Sequence, residues 1–278
     1  SWYDAIDVNA DGQSETANDF EDVGGVAKIS TWKDRSGNGN HLSQDNGATK
    51  YPLYLENLTS YGITKPNIGF GSTLSATGAY LHGNLPSAIN GSPSVTVFVV
   101  ALGRSAHNGR FIHFGAQAGT AGQVMSLTHK GNYEYNNGKF EFSSTFYGFA
   151  PALGVFRRSS PTSHADGDFL KNGAPVNGTA TNGSNTLSIP SSGSREVLVG
   201  AGRSTSGALE QLLNGHLFEI IVFDRALDDW NIERVEGYLA HKWGFASSLS
   251  KPARTNATHS FRNQPPTFGG SQTITLAF

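Results

Sequence analysis

Apolar positions in this chain form short runs of alternating character, and they take up a helical period only once. The strongest run is Val95-Thr96-Val97-Phe98-Val99-Val100-Ala101, bounded by Gly91-Ser92-Pro93 and Gly103. β-Branched residues packed this densely between turn formers predict a buried central strand. Arg110 to Gly115, Val124 to Thr128, Lys139 to Phe142, Gly167 to Lys171, Glu196 to Gly200 and His216 to Phe223 are further strand candidates. Asn137-Gly138, Asn172-Gly173, Asn177-Gly178 and Asn182-Gly183 supply turn signals between them. That spacing suggests a sandwich. In the helical stretch, Asp228 offers an N-cap oxygen. Trp230, Ile232, Val235, Tyr238, Leu239 and Trp243 then recur at roughly the α period, and Gly244 stands at the C-cap. The stripe is expected to pack on the sandwich. Lys251 to Pro266 reads as a linker with three prolines. The expected division is a sandwich over 1–250, and over 251–278 a linker with a terminal strand or the start of a neighbouring domain.

Composition narrows the class. A length of 278 residues fits one large all-β unit with a sizeable core, and 34 glycines with a charged fraction of only 15% suit short strands joined by long polar loops. A net charge of -2 gives no electrostatic footprint for nucleic acid. With no cysteine, a disulfide framework and a thiolate metal site are excluded. No apolar run reaches the ~18 residues of a membrane helix, so direct membrane insertion is not expected. The start at Ser1 without Met, and the stop inside the apolar alternation Gln272 to Phe278, suggest a piece cut from a longer protein.

The sharpest chemical signal is Asp7-Val8-Asn9-Ala10-Asp11-Gly12-Gln13. Oxygen-bearing side chains alternate and a glycine follows the third, the spacing with which an EF-hand loop presents oxygens to Ca²⁺. Gln13 stands where a backbone carbonyl would bind, Glu15 two residues on, and Asn18 where the bidentate Glu would be, with Asp19 a possible substitute. No helices flank the loop. The reading is a calcium loop without an EF-hand around it, fixing the N-terminal segment. The alternative is a solvated loop of Asx-turns.

Other clusters carry weaker signals. Asp34, Asn38, Asn40 and His41 form a polar turn after Trp32, expected to hold two strands together by side-chain bonds or, alternatively, to contact a cation or ligand. His164, Asp166 and Asp168 precede or enter a strand; two carboxylates two residues apart can share a calcium, unless Arg157 and Arg158 neutralise them. Arg104, His107, Asn108 and Arg110 follow the central strand, and Arg203 lies in a Gly/Ser loop from Gly202 to Gly207. Such groups grip hydroxyls or a carboxylate. Among the aromatics Tyr133, Tyr135, Phe140, Phe142, Phe146, Tyr147 and Phe149, Tyr147 and Phe149 are candidates for stacking on a ligand.

Several motifs converge: Trp32-Lys33-Asp34-Arg35-Ser36-Gly37-Asn38-Gly39-Asn40-His41, Lys65 to Gly71, Ser94 to Val100, Asn214 to Leu227 and Glu233 to Gly244. Together they resemble bacterial laminin-G-like, concanavalin A-like lectin/glucanase domains, over roughly half of the chain at its two ends. Gly103 to Ser194 matches poorly, and loops of that kind carry specificity. The resemblance implies an all-β, two-sheet antiparallel jelly roll with a short C-terminal helix. It also implies a sugar- or peptide-binding module of a large calcium-dependent bacterial surface adhesin, or an accessory domain of a secreted polysaccharide enzyme. Fold alone does not fix function.

No enzyme is expected. The chain lacks a Glu-x-Asp-x-x-Glu strand, a Gly-x-Ser-x-Gly elbow and a His-Glu-x-x-His helix, and its nine histidines show no metal spacing. The expectation is a non-catalytic, extracellular, calcium-dependent module, monomeric within a larger multidomain chain. Its ligand would be a cell-surface glycan, or alternatively a peptide, with a structural spacer as the third reading. The ligand is expected at one rim formed by Arg104 to Arg110, Arg157 to Asp168 and Gly202 to Gly207, with Asp166 and Asp168 holding a second calcium.

Overall fold

The computed structural model describes residues 1–13, 15–16, 19–22, 25–44, 47–59, 63–71, 78–89, 91, 94–104, 109–116, 124–129, 132–135, 138–142, 150–159, 167–181, 189, 195–204 and 206–250. The strands in chain order are β1 (Trp2–Asp4), β2 (Glu21–Asp22), β3 (Ala27–Lys28), β4 (Thr31–Trp32), β5 (Leu42–Ser43), β6 (Leu53–Leu55), β7 (Asn67–Phe70), β8 (Leu81–Asn84), β9 (Val95–Gly103), β10 (Arg110–Ala116) and β11 (Val124–Thr128). They continue with β12 (Asn132–Tyr135), β13 (Gly138–Phe142), β14 (Ala152–Arg158), β15 (Gly167–Lys171), β16 (Ala174–Pro175), β17 (Gly178–Thr181), β18 (Arg195–Val199), β19 (Gly202–Arg203), β20 (Leu209–Glu210) and β21 (Gly215–Phe223). The one α-helix among the described residues, α1, spans Asp229–Trp243. None of the helices described is long and apolar enough to cross a membrane.

Two antiparallel sheets make the sandwich. The first runs β16-β15-β14-β9-β21-β7-β6-β3-β2, with β1 added to β21; the second runs β17-β13-β12-β11-β10-β18-β8-β5-β4. Strands distant in sequence are neighbours in both sheets, the crossed connectivity of a jelly roll, as expected. Every residue of β9 and of β21 is buried. The continuous apolar run Val95 to Ala101 follows from this, since a strand covered on both faces has no polar side to present. The Asn172-Gly173 signal is realised: φ values of 49° and 74° turn β15 into β16, the left-handed pair a two-residue hairpin needs.

The helix matches its sequence signals. The Asp228 side chain accepts from the Asn231 amide, and Gly244, at φ 82°, closes the C-terminus with its N–H on the Ala240 carbonyl. Ile232, Leu239 and Trp243 are buried, whereas Trp230 is 47% exposed. Trp230 is thus removed from the expected packing stripe; it sits one residue after the first helical position and faces away from the sheet.

Polar bonds fasten the N-terminus to this frame. Asp34 accepts the amides of Trp2 (2.8 Å), Ser36 (2.9 Å) and Asn40 (3.1 Å), and its own amide donates to His41 Nδ1 (3.0 Å). Burial would raise the Asp34 carboxyl, but the N-terminal ammonium and these donors hold it below its usual range. The turn after Trp32 is therefore the side-chain-bonded loop that ties strands together. Glu219, fully buried in β21, accepts from Trp2 Nε1 (2.6 Å), Trp243 Nε1 (2.6 Å), Tyr238 Oη (3.2 Å) and Lys242 Nζ (2.8 Å). Glu219→Ala leaves the Trp2, Tyr238 and Trp243 donors without this buried acceptor and Lys242 with Asp4 as its remaining carboxylate. It is expected to cost about 3–5 kcal/mol, read as a lower urea midpoint. Asp228→Ala, which removes only the cap, is expected to cost ~1 kcal/mol in the same assay.

Candidate functional site

The polar chemistry gathers on the face of the second sheet that points away from the core. His113 in β10 is in register with Ser126 in β11 and Leu198 in β18, and Leu198 with His82 in β8. Register partners share a face. The neighbours Ile112, Phe114, Met125, Val197 and Val199 enter the main core, while Leu198 joins Tyr80 and Ala201 in a separate small cluster. Arg110, three residues before His113, would face the core by a period of two. The register shift between Arg110 and Ile112 is a bulge that brings it round to the side of His113.

On this face the Arg110 guanidinium donates through Nη1 to Ser126 Oγ, and Ser126 Oγ lies 2.7 Å from His113 Nδ1. Arginine only donates, so the serine hydroxyl accepts from it and shares its second contact with His113 Nδ1. His113 Nε2 is a buried atom with no hydrogen-bond partner among the described residues. Burial, followed by the charges of Arg110 and Arg203, holds His113 well below its ordinary pKa, so the ring is neutral.

A small hairpin, β19 and β20, lies over this layer. Arg203 forks onto both oxygens of Glu196 (2.6 and 3.2 Å), and its Nη1 donates to the Gly207 carbonyl (3.1 Å). Glu210 stands 3.4 Å from Arg110. The hairpin approaches this closely because Gly202 has no side chain; a Cβ there would collide with Arg110. Glu196 and Arg110 are buried and Arg203 is partly exposed, so the hairpin seals a charged layer and leaves one edge open.

The structure divides the single rim expected from sequence. Arg104 and Arg110 join the Arg203 hairpin at one end: the Arg104 amide donates to the Asn214 carbonyl and the Arg110 amide to the Gln211 carbonyl, both at 3.0 Å. Arg157 pairs with Thr96, near the other end of β9. Eight residues of strand, about 25 Å at ~3.3 Å per residue, separate it from Arg104. No one ligand site includes both groups. Arg157 binds Asp168 through Nε (3.0 Å) and Nη2 (2.6 Å), and Asp229 through Nη1 (2.6 Å). Asp168 is thus engaged by the arginine, the alternative to calcium that the sequence offered. His107, Asn108, Tyr147, His164, Asp166 and Asn18 lie outside the described residues.

At the N-terminal loop, Asp7 accepts the amides of Asp11 and Gly12 (both 3.0 Å) and pairs with Arg35 (3.1 Å); Asp11 accepts the Gln13 amide (2.7 Å). The Asn9 amide nitrogen stands between Asp11 Oδ2 (3.0 Å) and Asp19 Oδ1 (2.8 Å). Glu15 Oε1 accepts from Val8 and Asn9, and its Oε2 is buried without a hydrogen-bond partner among the described residues. Burial lifts the Glu15 carboxyl to about 7. As folded here, no three Asp, Glu, His or Cys side chains among the described residues stand grouped to hold a metal.

No protein-family model matches the sequence, and no curated protein matches it. Several solved structures are similar in fold. Domain 4 of AbnA, a GH43 extracellular arabinanase from Geobacillus stearothermophilus in complex with arabinotriose, aligns with a TM-score of 0.46 at 12% identity, over 82% of this chain and 93% of that one. Trypanosoma rangeli sialidase in complex with sialic acid aligns at 0.44 and 12%, over 78% and 32%. Ruminococcus gnavus IT-sialidase CBM40 bound to alpha2,3 sialyllactose aligns at 0.37 and 10%, over 65% and 93%. At these scores the fold rests on the chain's own strand pairings, and the laminin-G-like resemblance on the motifs that carry it.

The signal that sequence reasoning missed is His113 with Ser126. Each lies within a strand candidate, and only the register of β10 with β11 shows them to be partners. Their environment has a consequence in acid. Burial, then the charge of Arg104, depresses His216 to about 4, and His113 is depressed as well. These two histidines therefore bind more protons in the unfolded chain between pH ~6.5 and ~4. Their contribution to stability is expected to be full above pH ~6.5 and to fall as the pH drops through that window, opposed by the raised carboxyl of Glu15. Denaturant midpoints at pH 7.5 and 5 test this, and His216→Gln should flatten the dependence.

Proposed function

We propose that this chain is a non-catalytic carbohydrate-binding module of an exported protein, and that the ligand meets the open edge of the Arg110–Arg203 layer. One observation carries the reading. On the outer face of a sheet whose inner face already makes the core, the sequence places two bonded sets, Arg110–Ser126–His113 and Arg203–Glu196, side by side, with Gly202 of the covering hairpin packed against Arg110. The planar guanidinium of Arg203, partly exposed at the open edge, suits vicinal hydroxyls, which accept in a fixed geometry. Glu196 is held through both oxygens by Arg203, which leaves it poorly placed for work on a glycosidic bond and supports binding over hydrolysis. The carbohydrate ligands named in the similar structures belong to those proteins and agree with this reading without deciding it.

We further propose that the N-terminal loop takes one Ca²⁺. Asp7, Asn9, Asp11, the Gln13 carbonyl, Glu15 and Asp19 offer only hard oxygen donors, which suits calcium. The Asn9 amide nitrogen occupies the point between two carboxylates where a cation would lie. Turning the amide about would present its oxygen to that cation. The buried, unbonded Glu15 Oε2 would gain a partner. An extracellular adhesin is the setting that this calcium use and the motif resemblance favour.

A glycan array in calcium tests the ligand class. Binding to glycans is expected; silence there with capture of a peptide library would replace the glycan by a peptide. Arg203→Lys keeps a positive charge on Glu196 but removes the fork, and is expected to weaken glycan binding about tenfold with the melting temperature nearly unchanged. Full binding by that variant would move the ligand elsewhere. For calcium, thermal melts with the ion and with chelator should differ by several degrees through mass action on the native state, and Asp11→Ala should remove the difference.

A further inference from the structure

We propose that the cleft between α1 and the β15–β16 hairpin is the docking seat of this chain's own C-terminal segment, residues 251–278, held there by charge. The proposal is independent of the glycan reading and concerns the opposite end of the sandwich. The cleft has a volume of about 420 Å³, with Leu170, Val176 and Ile232 among its apolar lining. Among the described lining residues four carboxylates, Asp168, Asp229, Glu233 and Glu236, stand beside one cation, Arg157, which pairs with the first two.

The segment has the complementary character. Over residues 251–278 it carries Lys251, Arg254 and Arg262 and no Asp or Glu, and it brings Phe261 and Phe268 as apolar groups. The chain also arrives at the right place. The Ser250 amide donates to the Asn172 carbonyl at 2.8 Å. Its hydroxyl lies beside Gly173, which lines the cleft, and Glu236 is close to the same glycine. The described chain therefore ends at the cleft wall with Ser250, and chain length alone allows a residue four positions further on to reach no more than about 14 Å from it. A tether this short puts the segment at millimolar effective concentration, so a modest charge attraction suffices to seat it. Docking would fix the direction in which the chain leaves the sandwich.

Amide hydrogen exchange across residues 253–264, followed by mass spectrometry on the full chain, tests this. At low salt these amides are expected to exchange at least about tenfold more slowly than an unstructured peptide of the same sequence. In 1 M NaCl, where the screening length falls to ~3 Å, the protection should disappear. Glu233→Lys and Arg254→Glu should each abolish it at low salt, and the two changes together should restore it. Exchange in β9 serves as the check on the fold; should Glu233→Lys disturb it, Arg254→Glu, which alters the segment alone, decides. Unprotected exchange in the wild-type chain at low salt, or protection that survives Arg254→Glu, overturns the proposal.

Discussion

The frame of this molecule depends on one buried carboxylate. Glu219 sits in the middle of β21, and its four donors come from the first strand, through Trp2, and from the helix, through Tyr238, Lys242 and Trp243. Burial pushes its pKa up, while Lys242 pulls it back toward the charged form. An isolated buried charge would be expensive, and only paired, fully hydrogen-bonded charges are tolerated. Docking of the helix therefore brings Trp243 and Lys242 to this carboxylate, and docking of β1 brings Trp2. Lys242 also reaches Asp4 at 2.6 Å, and Asp4 is bonded to Arg35. The two chain ends of the sandwich are closed onto each other by this network, next to the apolar contact of Trp243 with Phe218.

The second sheet uses charge differently. Its inner face is apolar and needs no specific partner. Its outer face is polar yet buried, so each charge there has to be met by name: Glu196 by Arg203, and Arg110 by Ser126 and Glu210. A bulge of one residue is what makes this possible, since without it Arg110 would point into the core. Leu209 and Leu212, at the outer limit of the covering hairpin, remain exposed.

The sequence was most legible where one residue type has one structural use. Asp228 and Gly244 marked both helix ends, Asn172-Gly173 marked a hairpin, and the β-branched run marked the central strand, because caps, left-handed turns and doubly buried strands are local demands. Ala152–Arg158 was not recognised as a strand, although all but one of its residues are buried. Its Gly154 and paired arginines break both the alternation and the apolar run by which strands are found. Trp230 fits the helical period but not the sheet, since the period says which residues share a stripe and not how wide the contact is. The site was hardest to read. Arg104, Arg110, Arg157 and Arg203 look equivalent in sequence, and only the strand order puts three of them at one end and Arg157 at the other. His113 and Ser126 are thirteen residues apart and become partners through the register alone.

This arrangement also decides what a cation at the N-terminal loop would do. Arg35 is shared between Asp4 and Asp7, so the loop and the Glu219 network compete for one guanidinium. A calcium ion that neutralised Asp7 would free Arg35 for Asp4 and strengthen the clasp between β1 and the helix. Asp7, Asp4 and Glu219 belong to β1, β21 and the turn between β1 and β2, all on the first sheet, whereas Arg110, His113 and Glu196 belong to the second. A calcium ion bound there would therefore act on the frame directly and on the Arg110–Arg203 layer only through the frame. Any calcium dependence of ligand binding would follow the dependence of stability, with the same ion concentration for both. A cation placed between protein and ligand would separate the two.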